Sequence, residues 1–162
     1  LSTTNPQYKS QIIQALAFDV DGVLTPKYGY FNHNKPFESL DYDDLSSLRK
    51  LKEKGYKIAF ITASRSKELK QFLLENFASD VYLNSLNKLK DLEEFLSQFE
   101  LPLSHACYMG DSLNDLEALS LVGISGCPAD ASSEIKKSVQ IVCRKKGGNG
   151  AIAEFIQTLQ LV

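Results

Sequence analysis

Short apolar runs of strand length alternate along this chain with stretches of helical periodicity, and that alternation leaves few folds open. Strand candidates occupy residues 12–20, 58–61, 81–83, 106–109, 122–124 and 139–143, and the first two are apolar enough for burial on both faces. Between them the period changes. Leu45, Leu48 and Leu51 share a helical face, as do Leu69, Phe72, Leu73 and Phe77. Leu89, Leu92, Phe95, Leu96 and Phe99 make the clearest stripe. Leu113, Leu116 and Leu119 follow a cap region at Asp111-Ser112, and Ile152, Phe155, Ile156 and Leu159 form a final helix. Strands alternating with helices imply βαβ units, right-handed crossovers and an α/β fold with a parallel sheet covered by helices on both faces. Residues 28–42 break the pattern. Gly29, Asn32, Asn34 and Pro36 lie there among aromatic residues, which reads as a β-hairpin flap.

The chain has 162 residues, 43% of them hydrophobic, which is enough for one domain over 11–162 behind a polar leader or linker at 1–10. A net charge of -2 argues against a nucleic-acid surface. The longest apolar runs are four residues, far short of the roughly 18–20 needed to cross a bilayer. Nothing at the start resembles a signal peptide. Cys107, Cys127 and Cys143 form no CxxC pair, so buried free thiols in a reducing cytoplasm are expected in place of zinc or disulfides. Leu1 in place of methionine is expected of a chain that was processed, trimmed or cut from a longer protein.

The chemistry lies where strands end. In open α/β sheets, ligands bind outside the carboxyl ends of the strands. Asp19-Val20-Asp21-Gly22 follows one apolar run directly, Thr62 follows another, and Gly110-Asp111-Ser112-Leu113-Asn114-Asp115 follows a third. The bland alternative is that these residues only form loops and caps. Against it, an Asp-X-Asp-Gly match has on the order of 0.04 chance occurrences in a chain this size. Carboxylates gathered in one crevice repel, and a hard divalent cation such as Mg²⁺ relieves that repulsion while leaving room for phosphate oxygens.

Asp19-Val20-Asp21-Gly22-Val23-Leu24-Thr25 resembles the first motif of the haloacid dehalogenase (HAD) superfamily. Ile61-Thr62 resembles the second motif, Asn87-Lys88 the third, and Gly110-Asp111 through Asp115 the fourth. The resemblance implies a Rossmann-like three-layer sandwich and a phosphoric monoester hydrolase. Asp19 would be the nucleophile that forms an aspartyl-phosphate, and Asp21 the general acid and then base. Asp19, Asp111 and the backbone carbonyl of Asp21 would hold Mg²⁺. Thr62 would hydrogen-bond a phosphate oxygen and Lys88 would balance charge. Asp115 is either a metal-site carboxylate bound through water or a residue that orients the loop.

Thr62 and Lys88 are 26 residues apart, which leaves no room for a cap domain. This is similar to the capless branch that acts on 3-deoxy-octulosonate 8-phosphate or nonulosonate (sialic-acid-type) 9-phosphate. Pro128-Ala129-Asp130-Ala131 and Gly147-Gly148-Asn149-Gly150-Ala151 carry that likeness. It implies a small phosphorylated sugar acid as substrate and a homotetramer whose subunits close one another's sites, with Thr25, Ala63, Ser64, Arg65, Gly147, Gly148 and Asn149 as substrate-binding candidates. Three stretches depart from the branch. Asn149 stands where the signature has arginine, Thr62-Ala63-Ser64-Arg65 replaces Thr-Gly-Arg, and Asp43-Asp44-Leu45-Ser46-Ser47 replaces a glycine-bearing stretch. Arg144 or Lys146 would restore the missing charge, or be solvated turn residues. His33 falls in the flap and His105 reads as structural. Two other functions stay open: a non-catalytic oligomerisation domain like that appended to acylneuraminate cytidylyltransferases, and a capless phosphatase for a protein substrate.

Overall fold

Ala15, Leu16, Ala17 and Phe18 build β1 (Ala15–Phe18), which is buried along its whole length. Strands with no exposed face belong inside a parallel sheet. The computed structural model describes residues 12–27 and 39–162. Its sheet has six strands in the order β3-β2-β1-β4-β5-β6, every pair parallel. The others are β2 (Lys57–Ile61), β3 (Asp80–Tyr82), β4 (Ala106–Met109), β5 (Ile124–Cys127) and β6 (Ile141–Val142). The order reverses between β1 and β4, so the crevice of a doubly wound sheet opens there.

Two cores sandwich the sheet, because side chains alternate across each strand. Leu16 and Phe18 face α1 (Tyr42–Glu53), α2 (Lys67–Asn76) and α6 (Ala151–Thr158), which bring Leu48, Leu51, Leu69, Leu73, Ile152, Phe155 and Ile156. Ala15 and Ala17 face α3 (Lys88–Ser97), α4 (Leu116–Leu121) and α5 (Ser133–Ser138), which bring Leu92, Phe95, Leu96, Leu119 and Ile135. The expected three-layer α/β sandwich is the observed one.

Local differences have physical reasons. The strand expected at 122–124 lies two residues later. Val122 ends α4, its N–H bonding to the Ala118 carbonyl. The strand itself uses small residues because Phe155 presses on it, and a Cβ at Gly126 would overlap that ring. Leu113 belongs to a 3-10 turn (Leu113–Asp115) closed by a Ser112–Asp115 capping box, and is exposed. The six residues of α5 carry one buried apolar side chain, Ile135, and so leave no periodic signal. The flap reading ran too far at its C-terminal end. The Asp41 carboxylate accepts from the N–H groups of Asp43 and Asp44 and starts α1 at Tyr42. The rest of the flap, 28–38, and the leader at 1–10 lie outside the described residues. Between Thr62 and Lys88 the chain makes only α2, β3 and their connections, with no inserted cap.

Candidate active site

The ends of β1, β2 and β4 place the first three polar groups. Asp19 follows β1 and its N–H bonds to the Met109 carbonyl at 3.0 Å, which extends the sheet ladder one residue into the site. Thr62 follows β2, bonded to the Tyr82 carbonyl of β3, and Asp111 lies two residues beyond β4. Asp19, Asp21, Gly22, Lys27, Ala63, Lys88, Asp111, Ser112 and Asn114 line one cavity of about 240 Å³. Larger hollows lie at the opposite end of the sheet, beside Gln14 and Lys57, and between α1 and α6; neither gathers carboxylates from the carboxyl ends of several strands.

Asn87 caps α3 by accepting from the Lys90 N–H, and this turns Lys88, the first helical residue, inward. Lys88 is 4% exposed. Its ammonium lies 2.7 Å from Asp19 Oδ2 and 2.8 Å from Asp115 Oδ1. Lys90 is exposed.

Asp115 is fully buried, and its two oxygens serve five donors. Oδ1 accepts from Lys88 Nζ and from the Tyr108 hydroxyl, each at 2.8 Å. Oδ2 accepts from the Asp111 N–H at 3.0 Å, the Ser112 N–H at 3.2 Å and the Ser112 hydroxyl at 3.4 Å. Carboxylate capacity is about four lone-pair sites. Asp115 therefore has nothing left for a ligand and acts by holding the Asp111 loop and Lys88 in place. Of the two readings open from the sequence, the bonds favour loop orientation.

The donor set fits a hard divalent cation. Carboxylate oxygens of Asp19 and Asp111 lie within 4.8 Å of each other and of the Asp115 carboxylate, all three buried, so Asp19 and Asp111 are the donors and Asp115 adds negative charge behind them. Asp19 is already bonded through Oδ1 to the Val20 N–H at 2.7 Å, while among the described residues Asp111 pairs with Lys27 Nζ at 3.6 Å and feels Lys88 at longer range. Burial and the Asp115 charge push Asp19 well above the usual carboxylate range, against the pull of Lys88. Asp111 is raised by burial and Asp115, against Lys27. Burial works to lower Lys88, but Asp19 and Asp115 outweigh it and raise the ammonium's pKa. The cluster is thus short of positive charge, a shortage that a divalent ion bound by oxygens corrects.

Gly22 is required twice over. Its φ is 85°, and a Cβ there would run into the Asp111 carboxylate. The loop that follows wraps the Val20 carbonyl, which accepts from the N–H groups of Val23, Leu24 and Thr25. Thr25 is 1% exposed and gives its hydroxyl to the same carbonyl, so it faces the loop and not the cavity.

The remaining sequence candidates separate. Ala63 lines the cavity. Thr62 is buried, and its hydroxyl accepts from the Ser64 N–H, which leaves the O–H to donate. Ser64 accepts from the Ser66 N–H, and Arg65 reaches Asn84 Oδ1 at 3.2 Å, outside the cavity lining. Gly147 and Gly148 face the Gly22 loop with their backbones. A Cβ at Gly147 would occupy the Gly22 carbonyl, one at Gly148 would strike Pro26, and the Gly148 N–H bonds to the Val23 carbonyl at 2.9 Å. Asn149 folds back on the Gly147 carbonyl at 3.2 Å. Arg144 pairs with Glu154, its side chain 95% exposed. His105 sits at the other end of the sheet, bonded to Gln14.

Sequence reading missed two participants. Lys27 lines the cavity and also donates to the Asp130 carbonyl at 3.3 Å. The signal was available: it is a cation in the loop that carries Asp19 and Asp21. Tyr108 left none, since a tyrosine inside an apolar strand reads as core.

The sequence pattern of the haloacid dehalogenase-like hydrolases matches residues 67–156, more than half of the chain. The chain belongs to that family. The matched span holds Lys88, Asp111 and Asp115, and similarity to individual relatives extends over the rest. The chain is 27% identical over 154 residues to 3-deoxy-D-manno-octulosonate 8-phosphate phosphatase KdsC of Escherichia coli (strain K12), covering 94% of this chain and 82% of that one. It is 26% identical over 156 residues to N-acylneuraminate cytidylyltransferase A of Danio rerio, covering 95% of this chain but only 36% of that protein. The crystal structure of 3-deoxy-D-manno-octulosonate 8-phosphate phosphatase from Moraxella catarrhalis superposes with a TM-score of 0.85 at 27% identity, over 97% of this chain and 92% of that one. That structure is a complex with a magnesium ion, a phosphate ion and a KDO molecule.

Proposed function

We propose that the chain is a Mg²⁺-dependent phosphatase that hydrolyses a sugar-acid phosphate, of the eight-carbon 8-phosphate or nine-carbon 9-phosphate type, through an aspartyl-phosphate. The carrying observation is the pairing of Asp19 with Lys88 at 2.7 Å inside a cavity that also presents Asp21 and Asp111. Phosphoric monoester hydrolysis is the activity named for the relatives of which this chain covers 82% and 92%.

Asp19, with Asp111 and the Asp21 carbonyl, would hold the metal. When bound, Mg²⁺ neutralises charge between the nucleophile and the phosphoryl oxygens. An Asp19 oxygen attacks phosphorus in line, forming O–P as the ester O–P bond breaks, and Asp21 gives its proton to the departing alcohol oxygen. Water then attacks phosphorus, its proton passes to Asp21, and inorganic phosphate leaves with Asp19 restored. Lys88 offsets charge on Asp19 and the phosphoryl group. Thr62 donates its free O–H to a phosphoryl oxygen. Asp21 is exposed and lines the cavity, where solvent and a departing alcohol can reach it.

The same reading places the protein in the cytoplasm as a homotetramer. Among the described residues no helix is long and apolar enough to cross a membrane. Leu86 and Leu113, 95% and 59% exposed, flank the cavity residues Lys88 and Ser112 and suit cover by a neighbour. A non-catalytic assembly role is not favoured, since a buried charge cluster costs desolvation that assembly alone does not require. Phosphate release from eight- and nine-carbon sugar-acid phosphates, with and without Mg²⁺, is the test. Release that needs Mg²⁺ and vanishes in Asp19→Asn supports the reading. Release unchanged in Asp19→Asn sinks the mechanism, and no release from either substrate sinks the substrate class.

A further inference from the structure

Asp44 is a completely buried carboxylate that the proposed chemistry does not use. It sits in the first turn of α1, yet its bonds go to another helix. Oδ2 accepts from the Gly150 N–H at 3.2 Å and Oδ1 from the Ala153 N–H at 2.8 Å, at the start of α6. Gly150 has φ 94° and no side chain to cap that helix, so Asp44 supplies the cap from 106 residues away.

The segment held in this way leads to the active site. Two residues before Gly150, the Gly148 N–H bonds to the Val23 carbonyl, and the Gly148 backbone packs on Pro26. Gly147 is seated against the Gly22 carbonyl, and its N–H is fixed by Asp130 Oδ1 at 3.0 Å. Gly22 in turn presses on the Asp111 carboxylate. Every contact before the last is packed backbone or a hydrogen bond, and the last sets the Gly22 backbone against the Asp111 side chain.

The geometry points to Asp44 as a positioning residue for the metal loop: from α1 it fixes the start of α6, and with it the Gly147-Gly148 turn that braces Gly22 and Val23 beside Asp19, Asp21 and Asp111. The inference rests on the proposed metal site. It predicts that the charge state of Asp44 sets how well the loop is braced, because an ionised carboxylate accepts from both N–H groups more strongly than a neutral one. Burial pushes this carboxyl up to about 7, against the Ala153 bond. Among the described residues the groups that face it are Asp41, the cap of its own helix, which raises it further, Lys145 before α6, which lowers it, and the buried Cys143 thiol after β6. On α6 itself the nearby charge is Glu154, which is taken up by Arg144 and the Lys145 N–H.

Calorimetric titration of Mg²⁺ into the wild type and Asp44→Asn, at pH 6 and pH 8, tests this without relying on turnover. The asparagine carries one acceptor oxygen where two are used. At pH 8 its Mg²⁺ affinity should fall about fivefold, and at pH 6, where wild-type Asp44 is largely neutral, the two proteins should converge. Circular dichroism at the titration temperature establishes that both are folded. Equal affinity at pH 8, or the same ratio at both pH values, overturns the inference. Absence of Mg²⁺ binding by the wild type overturns the proposed function instead. Should Asp44→Asn fail to fold, Lys145→Gln provides the second arm. Removing that cation should move the pH step in Mg²⁺ affinity upward, and an unmoved step refutes the role of Asp44.

Discussion

Replacing Asp115 with asparagine separates an organising carboxylate from a metal ligand. The amide has one acceptor oxygen, so its NH₂ must face either Lys88 and Tyr108 or the N–H groups of Asp111 and Ser112. Either orientation sets donors against donors and forfeits at least two bonds inside a site with no exposure. Hydrogen bonds to charged groups contribute about 1.5–3 kcal/mol each, so two lost bonds cost about 3–6 kcal/mol; Lys88 keeps Asp19 as a partner, and relief of the repulsion on Asp19 and Asp111 offsets part of that cost. A destabilisation of about 3–5 kcal/mol follows. With an unfolding entropy of about 2.1 cal/mol/K per residue over 162 residues, each kcal/mol lowers Tm by about 3 °C. The expected fall is therefore about 9–15 °C. The assay is thermal unfolding followed by circular dichroism in excess chelator, so that no metal contributes. If Asp115 were instead a metal ligand, the chelated variant would melt with the wild type and only the Mg²⁺-dependent stabilisation would be lost. A chelated Tm within about 2 °C of wild type would refute the five-bond reasoning.

Four further outcomes are expected. Lys27→Met should raise KM for a sugar phosphate about 5–10-fold with kcat held within about threefold, since its ammonium lines the cavity without touching Asp19; steady-state kinetics decide, and an unchanged KM refutes the role. Gly147→Ala should lower Tm by about 3–9 °C, because the added methyl overlaps the Gly22 carbonyl; a wild-type melting curve would show that the loop yields easily. Burial pushes the thiols of Cys107, Cys127 and Cys143 up, the last two to about 11 and about 12, so a disulfide reagent at pH 8 should titrate all three only after denaturation. Asp44 is raised to about 7 from an unfolded value near 4, so the folded chain binds its proton more tightly; the stability this contributes is complete below about pH 4 and is lost as pH rises through 7. Melting curves at pH 5 and pH 8 should show that slope in the wild type and a smaller one in Asp44→Asn.

What could be read from the sequence was what neighbouring residues dictate among themselves. The strand ends at Phe18 and Met109 and the aspartates after them are consecutive in the chain, and so is the Asn87 cap that buries Lys88. The hidden part depends on which residues meet in space. Nothing near Asp115 announces that Lys88 and Tyr108 converge on it, or near Asp44 that a helix start 106 residues on will need a cap. The misplaced β5 is of the same kind, because Gly126 is set by Phe155 and not by its neighbours. Local pattern also misassigned Thr25, a motif residue whose hydroxyl turns back to Val20.

The seating of Gly147 against Gly22 bears on how copies of this fold diverge. The demand for glycine there comes from two backbones in contact, so a copy that lost Asp19 and all turnover would still be held to it. The glycine pair is a record of architecture and the aspartates are a record of chemistry. Read separately, the two can sort working descendants from silent ones.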